Sequence, residues 1–273
     1  MNDIMSLQKM FRVLIPLVAI LGTGFKCELY AQDKIISNMR MIGVGSVGIL
    51  DTYISPEKYS GTEIRYMSHT VREREGKLWS RLVVHQGFVS GSKNRADNGN
   101  EISGTYNFSY GFLHNWKFAS NKLDIKAGGM LDATVGFLYN TRNGNNPVQA
   151  KLNFCISPVA IASYYFSVGS MPMMARYEVS MPLCGIIFSP NYGQSYYEIF
   201  SKGDYDHNVV PVTLCSMPSL RQMLSVDFNI GKTTLRFGYL GDWRQTKVNN
   251  LKYHSYSNMF VVGVTRRFKI VRL

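Results

Sequence analysis

The sequence predicts an all-β protein: a closed antiparallel transmembrane β-barrel, with ten strands expected and twelve as the alternative count. Three observations predict it. Segments of about ten to fifteen residues alternate apolar and polar positions with period two, the spacing that places successive side chains on opposite faces of a strand. The polar faces carry ionised groups of both signs. The apolar faces are aromatic-rich near the segment ends, as expected of girdles at two membrane–water interfaces.

The stretch YNFSYGFLHNWKF (106–118) states the pattern most clearly. Tyr106, Phe108, Tyr110, Phe112, His114, Trp116 and Phe118 share one face; Asn107, Ser109, Gly111, Leu113, Asn115 and Lys117 share the other. A soluble sandwich would need an equally large partner sheet for the aromatic face. A barrel needs none, because lipid is the partner.

Along the chain, the first elements read as an export signal. Lys9 and Arg12 precede the apolar run VLIPLVAILGTGF (13–25), which Pro16 and Gly22 interrupt and which is short for a membrane anchor. Ala31 places a cleavage site between Ala31 and Asp33, so residues 1–32 form the leader and 33–273 a single barrel domain. Phe25 and Lys26 before Cys27 are unlike the small residues of a lipoprotein site.

Ten alternating segments follow, near 40–50, 62–72, 78–90, 101–118, 123–139, 148–167, 172–188, 219–230, 233–247 and 255–268. The connections 73–77, 119–122, 168–171 and 230–232 read as short turns. Those at 51–61, 91–100, 140–147, 189–218 and 248–254 read as long loops. Short and long connections thus fall on opposite rims, as in outer-membrane barrels with both termini on one side. The segment 208–217, with Pro211 inside it and Pro218 after it, belongs to the largest loop; the twelve-strand count would split that loop into an extra hairpin. The last strand, YSNMFVVGVTRRF, ends on an aromatic residue, the kind of C-terminal strand that barrel-assembly machinery recognises; KIVRL follows it.

The chain carries 30 Lys+Arg against 18 Asp+Glu, a net charge of +12. Without residues 1–32 the balance is 27 to 16, or +11. For an exported chain this excludes nucleic acid as the expected partner and favours a phosphate-rich membrane surface such as lipopolysaccharide. Cys155, Cys184 and Cys215 are odd in number and widely spaced, so they form neither a disulfide framework nor a metal site. No cofactor is expected.

The inward set includes Arg81, His85, Asp124, Lys126, Asp132, Arg176, Glu178, Arg221, Asp227, Arg236, Asp242 and Arg244. In a barrel of ten strands such charges pair and fill the lumen. The outer rim is the candidate binding surface, through Asn140, Arg142, Asn145, Gln194, Tyr196 and Arg221. Hydrolytic chemistry at the rim would use Ser195 as nucleophile, Glu198 as orienter and His254 as base. No G-x-S-x-G frames Ser195, so no catalytic residue is assigned.

The phrases GVGSVGILDTYISPEKYSGTEIRY (43–66), FLYNTRNGNNPVQAK (137–151), SPNYGQSYYEIFS (189–201) and PSLRQMLSVDF (218–228) resemble an uncharacterised family of Bacteroidetes envelope proteins catalogued only as a domain of unknown function. The resemblance covers essentially the whole chain after the leader, implies the outer membrane of a Gram-negative bacterium, and brings no catalytic residue with it. The expected function is structural or ligand-binding at the cell surface. The alternatives are an outer-leaflet hydrolase acting on lipid or lipopolysaccharide, and a narrow channel.

Overall fold

The computed structural model describes residues 34–74, 76–230 and 233–270. The expected leader, residues 1–32, lies outside the described residues. Ten long antiparallel segments close on themselves. They are β1 (Lys34–Asp51), β2 (Ser55–Arg74), β3 (Trp79–Asn94), β4 (Asn100–Phe118), β5 (Leu123–Asn140), β6 (Val148–Val168), β7 (Met171–Ser180), β10 (Leu220–Ile230), β11 (Thr233–Val248) and β12 (Leu251–Ile270). Each pairs with the next, and β1 closes the ring on β12, with Lys34 opposite Ile270 and Asp51 opposite Tyr253. Closure removes the open sheet edges that lipid cannot satisfy.

Two short strands, β8 (Cys184–Phe188) and β9 (Val209–Thr213), stand outside the ring. β8 continues the line of β7 after Met181-Pro182-Leu183, with its register against β6 shifted by one residue, and it then pairs with β9 instead of β10. Pro182 has no N–H to give a ladder, which suits it to this break. The ten-strand count therefore describes the barrel. The segment expected as loop at 208–217 supplies β9, so the largest loop does hold an extra hairpin.

The rim where β1 starts and β12 finishes is called here the terminal end, and the opposite rim the loop end. Three loop-end connections are shorter than the sequence predicts; after β3 only residues 95–99 remain of the expected loop 91–100. The turn after β1 is residues 52–54, and the turn after β11 is Asn249-Asn250, both with positive φ (50° and 61°), the backbone of a tight hairpin. The polar residues around them belong to strands that run past the bilayer. β2 has 20 residues and β6 has 21, where about 9–11 cross a membrane.

The wall has the polarity of a barrel in lipid. Tyr106, Phe112, Trp116 and Phe118 are exposed, while Asn107 and Ser109 between them are buried in the lumen. Two residues expected inward face outward instead. On β3 the lumenal row is Ser80, Leu82, Val84 and Gln86, so Arg81 lies over the Phe112 ring at 5.8 Å and His85 Nδ1 is 2.7 Å from the Tyr106 hydroxyl. At mid-height the lumen is packed with Met41, Met67, Leu82, Leu113, Met130 and Met259, none more than 3% exposed. Gly128, opposite Leu113, leaves room for this packing: a Cβ there would lie 2.0 Å from the Phe112 carbonyl oxygen. Toward the terminal end, buried ion pairs join Arg236 to Asp227 (2.6 Å), Arg176 to Glu178 (2.9 Å) and Lys126 to Asp124 (2.5 Å) and Glu73 (3.0 Å). Cys155, Cys184 and Cys215 are free thiols.

Candidate functional site

Above the apolar layer the lumen turns polar, and a cavity of about 130 Å³ opens toward the loop end. Its floor is built on Arg65, which is fully buried. The Arg65 guanidinium donates to Glu63 Oε1 (2.6 and 2.9 Å), to Asp242 Oδ2 (2.5 Å) and to Gln86 Oε1 (3.3 Å), and stacks 4.2 Å from the centre of the Phe88 ring. Arg244 lies 4.4 Å from that ring's centre and 2.5 Å from Asp242 Oδ2. Ser257 donates to the second oxygen of Glu63 at 2.7 Å. Buried charges at this density persist only when each is paired and hydrogen-bonded, and these are.

The cavity walls add two further polar groups of residues. Lys151 Nζ donates to Asp51 Oδ2 (2.5 Å) and Gln149 Oε1 (2.6 Å) and sits 3.7 Å from the centre of the Tyr253 ring. Across from it, Asn107 accepts from Gln86 (2.8 Å) and donates to Thr134 (3.0 Å), and Ser109 donates to Asp132. Three lining groups keep unused bonding capacity. Among the described residues Arg221 has no carboxylate within 4.0 Å, Asp132 has no cation within 4.0 Å, and the buried Ser157 hydroxyl has no hydrogen-bond partner. Leu152, Cys155, Ile187, Met217, Val248 and Leu251 make the rest of the lining apolar.

The loop 189–208 lies over this end. It is organised by helix α1 (Tyr196–Phe200), whose N-cap Ser195 accepts from the Glu198 N–H at 3.2 Å while the Glu198 carboxylate accepts from the Ser195 N–H at 2.8 Å and its hydroxyl at 3.0 Å. These two donors hold the Glu198 carboxyl below the usual carboxylate range. Tyr53 donates its hydroxyl to the Gln194 carbonyl (2.9 Å), and its ring meets Tyr196 edge-on at 5.9 Å. The Tyr196 hydroxyl accepts from the Ala150 N–H at 2.7 Å. Asn249 donates to the carbonyls of Ser189 and His207, both at 3.1 Å. Burial pushes the Tyr196 phenol up to about 12; burial, then the neighbouring Tyr196, Asp51 and Glu198, push that of Tyr53 higher still.

Of the six residues expected to bind at the rim, only Arg221 lines the cavity. Asn140 is buried, donating to Tyr59 (2.9 Å) and Glu101 (3.0 Å) and accepting from the Arg142 N–H (2.8 Å). Arg142 reaches Asn98 (3.0 Å) and Glu57 (3.5 Å), Asn145 donates its N–H to Asn143 (3.0 Å), and Gln194 accepts from Asn208 (2.7 Å) and the Asn191 N–H (3.0 Å). With Tyr196 on Ala150, these five shape the loops. Ser195 and Glu198 meet in the capping box. His254 faces outward and stacks on Tyr256, ring centres 4.9 Å apart.

Two residues of the floor, Glu63 and Arg65, and two of the cavity lining, Asp51 and Lys151, were missing from the expected sets. The alternation of GTEIRYMSHT, with Ile64 and Tyr66 exposed, carries the signal for the first two. The second pair meets 100 residues apart in sequence, at the ends of strands, where no local pattern marks it.

A family model described as a protein of unknown function (DUF3316) matches residues 12–273. No match to a curated protein was found. Among solved structures, the chain is similar to the transport unit of the autotransporter AIDA-I from Escherichia coli (TM-score 0.46, 8% identity, 93% of this chain and 96% of that one). It is also similar to the outer membrane protease OmpT from Escherichia coli (0.43, 7%, 86% and 96%) and to the translocator domain of the autotransporter NalP from Neisseria meningitidis (0.37, 11%, 96% and 98%). Likeness at this level bears on none of those activities.

Proposed function

Because the chain belongs to the DUF3316 family, whose function is unknown, we propose a function from its own geometry: an outer-membrane barrel that binds a small amphipathic ligand in its loop-end cavity and does not conduct. The observation that carries the reading is the pairing of a sealed floor with a cation that no carboxylate contacts directly. Arg65 and the layer below it leave the mid-lumen packed, yet Arg221 lines the space above with no carboxylate within 4.0 Å, and Asp242, opposite it in the ladder, is bonded to Arg65 and Arg244. Arg221 is only half-buried and its guanidinium is free to form charge-assisted hydrogen bonds, which a ligand anion supplies. Asp132 and Ser157 supply an acceptor and a hydroxyl for the ligand's other polar groups. Met217, Ile187 and Leu152 meet an apolar portion.

The setting follows from the same wall. Export by residues 1–32, folding by barrel-assembly machinery acting on the last strand, and an outer membrane with the loop end facing outward fit a barrel whose wall is apolar and whose strands run past the bilayer at the loop end. Outward-facing Lys58, Lys247 and Lys252 at that rim suit the anionic groups of lipopolysaccharide; Lys247 and Lys252 stand opposite each other in the β11–β12 ladder.

The test is a thermal-shift titration of the reconstituted barrel with a series of short-chain N-acyl amino acids and alkyl glycosides. The N-acyl amino acids, which carry a carboxylate, are expected to raise the unfolding temperature of the wild type and not of Arg221→Gln. Shifts of equal size in both proteins, or none in either, would remove the cavity from consideration.

A further inference from the structure

One sector of the lipid-facing wall breaks the apolar rule. Toward the terminal end, β12, β1, β2 and β3 point Arg266, Arg40, Arg72 and Arg81 outward, all exposed. The far side of the barrel at this rim presents Val168, Ile230 and Phe118. The ladders fix the neighbours. Arg72 stands directly opposite Arg81. Arg266 is opposite Asn38 and Arg40 is opposite Val264, so the two arginines are diagonal neighbours across the β1–β12 seam. Directly opposed side chains on a sheet face have Cβ atoms about 5 Å apart and diagonal ones roughly 7–8 Å, close enough for like charges to repel.

Among the described residues none of these four guanidinium groups has a carboxylate within 4.0 Å. Arg40 Nε donates to Asn38 Oδ1 at 3.3 Å, and Arg81 lies over Phe112. Arg40 and Arg266 flank a groove of about 240 Å³ whose other walls are Asn38, Val264 and Phe268. Phe268, opposite Ile36, lies in the same cross-strand row as Arg72 and Arg81, and Trp79 lies one outward position below Arg81. These rings mark a membrane interface, the level at which lipid phosphates lie.

We propose that this sector is a binding site for anionic phospholipid, with the headgroup phosphate held by Arg40 and Arg266, an acyl chain laid along the groove over Val264, and Arg72 and Arg81 drawing a second anionic headgroup. The charge argument selects the occupant. Four cations without carboxylates sit where an arginine is tolerated only near the headgroups, and a phosphate diester offers the paired acceptors that guanidinium groups match. A zwitterionic lipid brings its own cation and leaves the repulsion unrelieved. With the loop end outward, as proposed above, the site faces the inner leaflet; the binding itself does not depend on that orientation.

Spin-labelled lipid exchange on the reconstituted barrel tests this directly. Labelled phosphatidylglycerol is expected to associate about five-fold more strongly than labelled phosphatidylcholine, the factor that corresponds to roughly one arginine contact. The preference should fall to about one-fold in Arg40→Gln/Arg266→Gln and decline partly in Arg72→Gln/Arg81→Gln, while Lys93→Gln at the other rim, a cation already paired with Asp97, keeps it. Single substitutions read the same preference if a double variant fails to insert. Inorganic phosphate at millimolar concentration should not compete, since it lacks the acyl chain. Equal association of both lipids with the wild type overturns the proposal, as does an unchanged preference in the Arg40/Arg266 variant or displacement by inorganic phosphate. A dimer that persists in pure phosphatidylcholine and is lost in that variant would also overturn it, assigning the sector to a contact between copies of the chain. Loss of lipid preference leaves the cavity titration unaffected, so the two readings fail separately.

Discussion

Arg65 Nη1 stands 2.5 Å from Asp242 Oδ2, tying β2 to β11 through the lumen past the two strands, β1 and β12, that separate them in the wall. The contact closes a chain that runs from Ser257 through Glu63, Arg65 and Asp242 to Arg244. It is the rigid floor on which the cavity rests.

Removing one member of such a group strands its partners. Arg65→Met leaves Glu63 buried without its cation and is expected to cost about 3–5 kcal/mol in urea unfolding of the reconstituted barrel. The contrast is Arg142→Gln at the loop end, where both Arg142 and Glu57 are about half exposed and 3.5 Å apart. That change is expected to cost at most about 1 kcal/mol. Equal losses for the two variants would mean that the floor is not the anchor described.

The packed layer beneath the floor makes a second expectation. Leu82 and Leu113 are fully buried inside the lumen, so Leu113→Ala should lose about 2–5 kcal/mol, as though it sat in the core of a soluble protein. Planar bilayers containing the folded wild type should show no steady single-channel steps. Ohmic steps from protein that migrates as a folded barrel on unheated gels would contradict a filled lumen.

How much of this was legible depends on where each residue sits. The outward stripe of β4 and the charged rows of β5, β7, β10 and β11 were readable because lipid on one side and ion pairs on the other force opposite polarity onto alternate positions. On β3 the rule fails: at mid-height the lumen is itself apolar, so Leu82 and Val84 turn inward and Arg81 and His85 turn out. Polarity alone cannot choose a face there. Beyond the membrane both faces of a strand are wet, and EKYSG therefore reads as loop although it belongs to β2. The cavity was least legible. Arg65 and Asp242 are 177 residues apart, and only closure of the ring brings them together.

The roof over the cavity should be separable from the barrel. Tyr53→Phe removes the hydrogen bond to the Gln194 carbonyl and keeps the ring against Tyr196. About 0.5–1.5 kcal/mol of local stability is at stake, spent on the loop and not on the wall. Limited proteolysis is expected to cut within 189–208 several-fold faster in the variant, with the urea midpoint of the barrel unchanged. A shifted midpoint with unchanged cleavage would show that Tyr53 serves the wall instead.

The same two phenols give the roof a pH dependence at its alkaline edge. In the folded chain the hydroxyls of Tyr53 and Tyr196 lie above the ordinary phenol value, Tyr196 at about 12, because burial and the nearby acidic groups disfavour phenolate; unfolded, both would titrate near 10. A pKa raised by folding stabilises the structure fully below the unfolded value and loses that contribution as pH rises through the folded one. The roof is therefore expected to hold up to about pH 10 and to loosen progressively toward about pH 12. Phenolate absorbance near 295 nm, taken as the difference between wild type and Tyr53→Phe/Tyr196→Phe, should show these two groups ionising in a late step, together with faster cleavage of loop 189–208. A difference curve centred near 10 would mean that both hydroxyls already meet water in the native barrel.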